Sequence, residues 1–284
     1  MEWHFPESMD ELLTLLSNGK GLMLHGGGTM LLKLLRSGNT EISGLVSLSK
    51  LPLDDVRIDG EHIEIGAANT FSSALSKISK LIVNNGKSQF SCLLCAALGK
   101  AASTPIRNRI TIGGSVASLP SWSDLISPLY ILDAKVVLLG KNSGEYDFTE
   151  FYINTETLLS NSVITSIRVP VRLLERNFSY YRETRVAFDY PAFTISVNAD
   201  IVNSIVNDVR ISVSGVTGRV IRLNNIEKFI SGKSVNTMKQ QGIAKDTPLS
   251  FGDKPAGSPK YLAHAARVEV ERSLHRIFEE VNCT

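Results

Sequence analysis

The stretch Thr111-Ile112-Gly113-Gly114-Ser115-Val116-Ala117-Ser118-Leu119-Pro120-Ser121-Trp122-Ser123-Asp124 organises the reading of the whole chain. Two adjacent glycines are followed by small and hydroxyl residues, and then by an Asp at an expected helix start. Backbone without Cβ atoms can come very close to a ligand. Peptide N–H groups exposed there can cradle an anion such as a diphosphate. The same residues also suit a tight turn with a helix cap, so taken alone the stretch leaves both readings open.

A second glycine cluster lies upstream, His25-Gly26-Gly27-Gly28-Thr29-Met30-Leu31-Leu32. Residues 21–25 read as a short buried strand, 26–29 as a turn and 30–36 as a helix. Strand, glycine turn and helix N-terminus in succession suit a phosphate. Two common nucleotide motifs are excluded. A P-loop would end in Gly-Lys-Ser/Thr, and a G-x-G-x-x-G fingerprint would need glycine where Leu31 stands.

Together the two clusters resemble one family. Its members read small-Gly-Gly-Thr-x-Leu-Leu near the N-terminus, then Arg-Asn-x-x-Thr-Ile-Gly-Gly-x-x-Ala, then Ser-Asp-Leu and a helix ending Leu-Asp-Ala. This chain has Gly27-Gly28-Thr29-Met30-Leu31-Leu32, then Arg107-Asn108-Arg109-Ile110-Thr111-Ile112-Gly113-Gly114-Ser115-Val116-Ala117, then Ser123-Asp124-Leu125 and Leu132-Asp133-Ala134. It is similar to the FAD-binding (medium, flavoprotein) subunit of the molybdenum hydroxylases, the xanthine dehydrogenase and carbon monoxide dehydrogenase type. The resemblance runs from the first strand to the last helix. It implies an α+β chain: a p-cresol methylhydroxylase-type FAD-binding fold of two α/β subdomains, then a C-terminal α+β domain of the carbon monoxide dehydrogenase flavoprotein type. The expected boundaries are 1–173 for the FAD-binding domain, with subdomains of about 1–55 and 56–173, and 174–284 for the C-terminal domain.

Composition bounds the alternatives. A chain of 284 residues with 30 basic and 28 acidic side chains has no charge excess to suggest nucleic acid or an anionic membrane as partner. No apolar run is long enough to span a bilayer, and the Met1-Glu2-Trp3-His4-Phe5-Pro6 start lacks signal-peptide features. Cytoplasmic residence is the expectation. Cys92 and Cys95 form a C-x-x-C, and Cys283 stands far from them. Metal sites usually need four ligands, so the pair reads as buried core thiols on a helix. This set cannot hold an iron–sulfur cluster.

Along the chain, Ser8 to Glu11 fits a capping box before a helix that stops near Asn18-Gly19. Residues 45–48 read as a strand. Residues 56–65 alternate about Asp59-Gly60 as a hairpin. Helices are expected from about Ser72 and over 88–99. Ser121 or Ser123 could cap a helix through Leu132, which would put Asp124 in its first turn, where a carboxylate suits the dipole. Strands follow at 135–139 and 145–148. Residues 162–170 alternate and end on Pro170, which suits an edge strand or a strand end. After Pro170 the pattern starts afresh, with strands at 178–185, 192–202 and 208–216 and a helix at 226–231. Residues 246–257 read as a loop, and Ser258-Pro259 opens a final helix.

The resemblance also implies a site. The diphosphate would lie between the 24–31 loop (Leu24, His25, Gly26, Gly27, Gly28, Thr29, Met30, Leu31) and the 111–115 loop (Thr111, Ile112, Gly113, Gly114, Ser115). The glycine turns hold no Lys or Arg, so backbone amides and helix dipoles would have to bind it. The adenosine end would extend towards Ser118 and Asp124. Ile164 matches the family's apolar residue against the flavin, and Arg182 stands at a Lys position near it. A cation there could raise the flavin potential. Arg182 also fits a solvated strand charge. His25 replaces a small residue and could cap the strand end or donate to a phosphate. An aromatic that some members place over the flavin aligns near Ala101, which leaves Tyr181, Phe188 and Tyr190 as stacking candidates. No catalytic triad, metal-ligand cluster or carboxylate pair stands out.

The implied activity is electron transfer. Clusters of an iron–sulfur small subunit, fed by a molybdenum-cofactor large subunit, would reduce FAD here, and NAD or another acceptor would reoxidise it. A scaffold subunit with a degraded flavin site is the alternative from another class. A stand-alone flavin reductase related to the nucleotide-sugar reductases is a third.

Overall fold

The computed structural model describes residues 1–38, 42–83, 92–238 and 242–282. Elements run in chain order. The first half holds β1 (Glu2–His4), α1 (Met9–Asn18), β2 (Leu22–His25), α2 (Thr29–Arg36), β3 (Gly44–Ser47), β4 (Val56–Asp59), β5 (His62–Gly66), α3 (Phe71–Val83), α4 (Leu93–Lys100), α5 (Thr104–Arg107), α6 (Ile112–Ser118) and α7 (Ile126–Ile131). Then come β6 (Lys135–Gly140), β7 (Gly144–Asp147), α8 (Phe148–Leu158), β8 (Ser162–Pro170), α9 (Val171–Leu174), β9 (Asn177–Glu183), β10 (Phe193–Val202), β11 (Ile205–Val216), β12 (Arg219–Arg222), α10 (Asn224–Ile230), α11 (Val235–Met238) and α12 (Pro259–Asn282). The α+β class expected is the class observed. The chain groups into two compact units: Met1–Asn85 with Ser103–Leu119 and Asp133–Pro170, and Gly86–Ala102 with Pro120–Leu132 and Val171–Thr284.

The first unit holds two sheets. One is parallel, in the order β1-β3-β2. Its core joins Leu12 of α1 to Val46, Leu51, Leu53 and Val163. Ser8 caps α1 by accepting the Glu11 N–H at 3.2 Å. The Glu11 carboxylate reaches back to the Glu7 N–H at 2.8 Å, one residue beyond the Ser8 N–H of a strict capping box. The other sheet is antiparallel, in the order β4-β5-β8-β6-β7. The 162–170 strand is therefore central rather than an edge. Pro170 sits at its end opposite His62, where the missing N–H costs least. Alternation along β5, β6 and β8 buries Ile63, Ile65, Val136, Leu138, Ile167 and Val169. The opposite face carries the charges.

The second unit is built on the antiparallel sheet β12-β11-β10-β9. Ile195, Val197, Ile211 and Val213 pack under Leu262, Ala266, Val270, Leu274 and Ile277 of α12. Those α12 positions recur every three or four residues, as one buried helix stripe requires. Ser258 starts that helix by accepting the Tyr261 N–H at 3.3 Å. Cys92 and Cys95 are buried, as expected of core thiols, and the Cys92 sulfur caps α4. Cys283 and the 88–91 part of the expected helix lie outside the described residues. The sequence reading does not anticipate the helices α5, α8, α9 or α11.

Candidate cofactor site

β2 ends at His25 and the chain turns through Gly26 and Gly27 into Gly28, which adopts φ +76° as the N-cap of α2. A left-handed residue is strained unless it is glycine. No side chain caps α2. The first helical amide to find a partner is that of Leu32, bound to the Gly28 carbonyl at 2.9 Å. The amides of Gly27, Gly28, Thr29, Met30 and Leu31 have no acceptor among the described residues. They are orphan donors at the positive end of a helix, which suits an anion. Leu24, one residue upstream, packs against the core of this unit.

The first turn rests on the second motif. A Cβ on Gly27 would fall 1.4 Å from the Arg109 carbonyl oxygen, and one on Gly26 would fall 2.9 Å from the Thr111 hydroxyl. These glycines bring two backbones into contact, and Gly27 does so without tolerance.

The second motif is not a glycine turn, which corrects the expectation of a clamp made of two such turns. Thr111 is the N-cap of α6, and its hydroxyl accepts the Gly114 N–H at 3.1 Å. The amides of Ile112, Gly113 and Ser115 donate to Asn69 O at 2.9 Å, Ala67 O at 2.8 Å and Thr111 O at 3.0 Å. The amides of Ile112 to Ser115 are thus committed within the fold, while that of Thr111 has no backbone acceptor among the described residues. Gly113 serves packing instead, since a Cβ there would lie 2.7 Å from that of Ala67. At the far end of α6, exposed Ser118 donates its hydroxyl to Gly114 O at 2.7 Å. Ile164 lies on β8, against which α6 packs. It is buried, beside the bulge that leaves Thr165 unpaired between Ile164 and Ser166.

In the second unit, Asp124 and Arg182 meet each other. Asp124 precedes α7 instead of lying in its first turn. Its carboxylate lies 2.5 Å from the Arg182 guanidinium and accepts the Tyr180 hydroxyl at 2.6 Å. Burial pushes the carboxyl above its ordinary pKa, and the Arg182 charge and the Tyr180 hydroxyl pull it back only in part. Arg182 is thus no solvated strand charge. Its side chain is 8 % exposed. It also donates to the carbonyls of Ala187 and Asp189, both at 3.0 Å. It clasps a loop whose tip leaves Phe188 and Tyr190 about two-thirds exposed, at 70 % and 66 %. Trp122, which the sequence reading leaves without a role, packs on Tyr190 at 5.2 Å between centroids. Of the stacking candidates, Tyr181 is engaged with Glu183 at 2.6 Å and with Phe193, while Phe188 and Tyr190 present open faces.

Sequence reasoning missed two groups at the first turn. The Trp3 ring meets the His25 ring edge-on at 5.1 Å. Arg109 lies close enough for its charge to act on His25. Arg109 was visible inside the second motif, but only the fold brings it to the first.

A glycine turn with open amides at a helix start, braced from behind by a capped helix, is a cradle suited to an anionic group. The comparisons agree. Residues 1–172 match the family described as the FAD binding domain in molybdopterin dehydrogenase, and residues 178–277 match the CO dehydrogenase flavoprotein C-terminal domain. The chain belongs to this family of FAD-binding oxidoreductase subunits. It is 26% identical over 284 residues to the carbon monoxide dehydrogenase medium chain of Hydrogenophaga pseudoflava, covering 96% of both chains. It is 24% identical over 278 residues to the nicotine 6-hydroxylase medium subunit of Paenarthrobacter nicotinovorans, covering 95% of this chain and 94% of that one. Among solved structures, a chain of quinoline 2-oxidoreductase from Pseudomonas putida 86 superposes with a TM-score of 0.86 at 18% identity, covering 99% of this chain and 97% of that one. Its fold is therefore shared.

Proposed function

We propose that this chain is the electron-handling subunit of a heteromeric, xanthine dehydrogenase-like molybdenum hydroxylase and works in the cytoplasm. Its partners are a large subunit with the molybdenum cofactor and a small subunit with iron–sulfur clusters. Relatives of nearly the same length are named as medium subunits, which supports that division of labour. FAD, when bound, supplies the capacity to take electrons from the clusters and give them to NAD or another acceptor.

The observation that carries the reading is the set of open amides from Gly27 to Leu31 at the start of α2. The diphosphate is read as lying there, held by backbone donors and the helix dipole. Arg109 and Thr111 act as the seat of that turn, and Ile112 to Ser115 form the capped helix start behind it. Ser118 and Ile164 are assigned to the adenosine and flavin ends. Asp124 and Arg182 are assigned to fixing the loop that carries Phe188 and Tyr190, a positioning role in place of direct contact.

The test is an absorbance spectrum of the purified chain after incubation with FAD and removal of the excess. Retained flavin bands that bleach with reduced nicotinamide support both the subunit role and NAD as acceptor. Retained bands indifferent to nicotinamide keep the role and move the acceptor elsewhere. A chain that retains no flavin overturns the reading in favour of a scaffold subunit.

A further inference from the structure

We propose that His25 is a side-chain contact of the cofactor diphosphate and takes up a proton when the cofactor binds, with Arg109 as a fixed charge beside it. The inference rests on the reading of the 27–31 turn as the diphosphate site.

The geometry comes first. The His25 ring lies over the turn, and a Cβ on Gly28 would fall 2.7 Å from His25 Nε2, nearer than any other atom. The ring nitrogen therefore sits beside Gly28, the second residue in the row of free donors. The ring is held in place edge-on to Trp3. Among the described residues its only polar contact is with its own backbone. A held imidazole next to unused amides, and without a partner of its own, is arranged for a ligand that supplies acceptors.

Charge decides the protonation state. Burial, and then the nearby Arg109 guanidinium, hold the His25 pKa below its ordinary value. Glu2 and His4 on β1, Lys33 and Arg36 on α2, and Lys50 after β3 are the other charged groups on neighbouring elements. Glu2 and His4 lie within 3.9 Å of each other, and Arg109 is the group whose charge reaches the ring. At neutral pH the free protein thus keeps His25 neutral. A diphosphate brings about two negative charges, and an opposite charge within reach favours the protonated imidazole. The bound pKa exceeds the free one, so binding takes up protons in the window between them. Affinity must then rise as pH falls through that window. Each unit by which binding raises the pKa corresponds to about tenfold in affinity.

Isothermal titration of the full chain with FAD, from pH 5.5 to 8 and in buffers of different ionisation enthalpy, tests this. The expected result is binding about tenfold or more tighter at pH 5.5 than at pH 8, with proton uptake in the window between the free and bound pKa. His25→Gln should still bind FAD while losing both the pH dependence and the proton uptake. Arg109→Gln should weaken binding at every pH and raise the free His25 pKa, read from the imidazole proton resonance. FAD affinity that is flat with pH, or a His25→Gln chain that keeps the wild-type dependence, overturns the inference and leaves the cofactor site standing. A chain that takes no FAD at any pH overturns both.

Discussion

At the scale of single residues, the glycines of the two motifs do different work. Gly27 faces a carbonyl on rigid backbone, 1.4 Å from where a Cβ would stand, whereas a Cβ on Gly114 would meet only the Thr111 hydroxyl at 2.7 Å. Gly27→Ala should therefore lift the turn off its seat and cost about 1–3 kcal/mol as an overpacking change. Gly114→Ala should cost less, through the N-cap bond alone. Thermal melts of the two variants give the order. Arg182→Gln should be worse than either at neutral pH, because it leaves Asp124 buried without its charge partner, a loss of about 3–5 kcal/mol. Its sign with pH follows from Asp124. A carboxyl whose folded pKa lies above its unfolded value of 3.8 binds more protons in the native state between the two. Stability from that group therefore falls as pH rises through the window. Removing Arg182 raises the folded value further. The gap between variant and wild type should be narrow at about pH 4 and wide at pH 7, read by urea midpoints. Trp122, packed on Tyr190 of the loop that Arg182 clasps, should shift its emission in the same variant. The motif glycines were legible in the sequence, because their spacing carries the resemblance. The Asp124–Arg182 pair was not, since 58 positions separate the partners and no local pattern joins them.

Elements were legible where a short-range signal existed. The Asp59-Gly60 hairpin, the Ser8 and Ser258 caps and the alternation of β8 were visible, and each appears in place. The start of α6 was misread because Thr-Ile-Gly-Gly suits a turn as well as a cap, and only the acceptors on Ala67 and Asn69 decide between them. β8 was read as an edge or an end, because nothing local tells how many strands flank it. The polar face of its sheet holds a ladder in which Glu145 pairs with Lys135 at 2.7 Å and Arg168 at 2.8 Å, and Arg168 reaches Asp59 at 3.1 Å. The Lys135 hydrogen bond, with help from Arg168, holds the Glu145 carboxyl below its ordinary pKa. With the folded pKa depressed, this contribution is present above the unfolded value of 4.5 and is lost as pH falls through the folded one. Glu145→Gln should cost at most about 1 kcal/mol at low salt, since the pairs are partly solvated. The difference should vanish in about 1 M salt, and also in acid. A deficit that survives both would mean that the ladder acts through packing rather than charge.

On the whole-molecule scale, the chain is read from sequence as consecutive domains, whereas its contacts group 86–102 and 120–132 with 171–284. Burial creates that grouping. Cys92 to Leu98 and Leu125 to Leu132 are apolar runs that offer no periodicity from which to tell which sheet they cover. The site in the first unit escapes this ambiguity, because turn, brace and His25 all come from segments with their own signals. Ligand linkage makes this testable on the intact chain. A ligand that binds only the folded state adds about 2.7 kcal/mol at a hundredfold excess over Kd. For a chain of this size that amounts to about 5–10 °C in melting temperature. On the proposed reading, in which the open donors of α2 hold the diphosphate, ADP should reproduce part of the FAD shift. FMN, with one phosphate and no adenosine, should give less than FAD by more than the loss of its adenine contacts alone. A melting temperature that responds to FMN as strongly as to FAD would move the site of recognition away from the 27–31 turn and onto the flavin ring. Gly27→Ala should lower the melting temperature of the free chain and also shrink the increment from FAD, because the amides are aligned only while the turn rests on Arg109. A variant that melts lower yet gains the full wild-type increment would separate the brace from the binding surface.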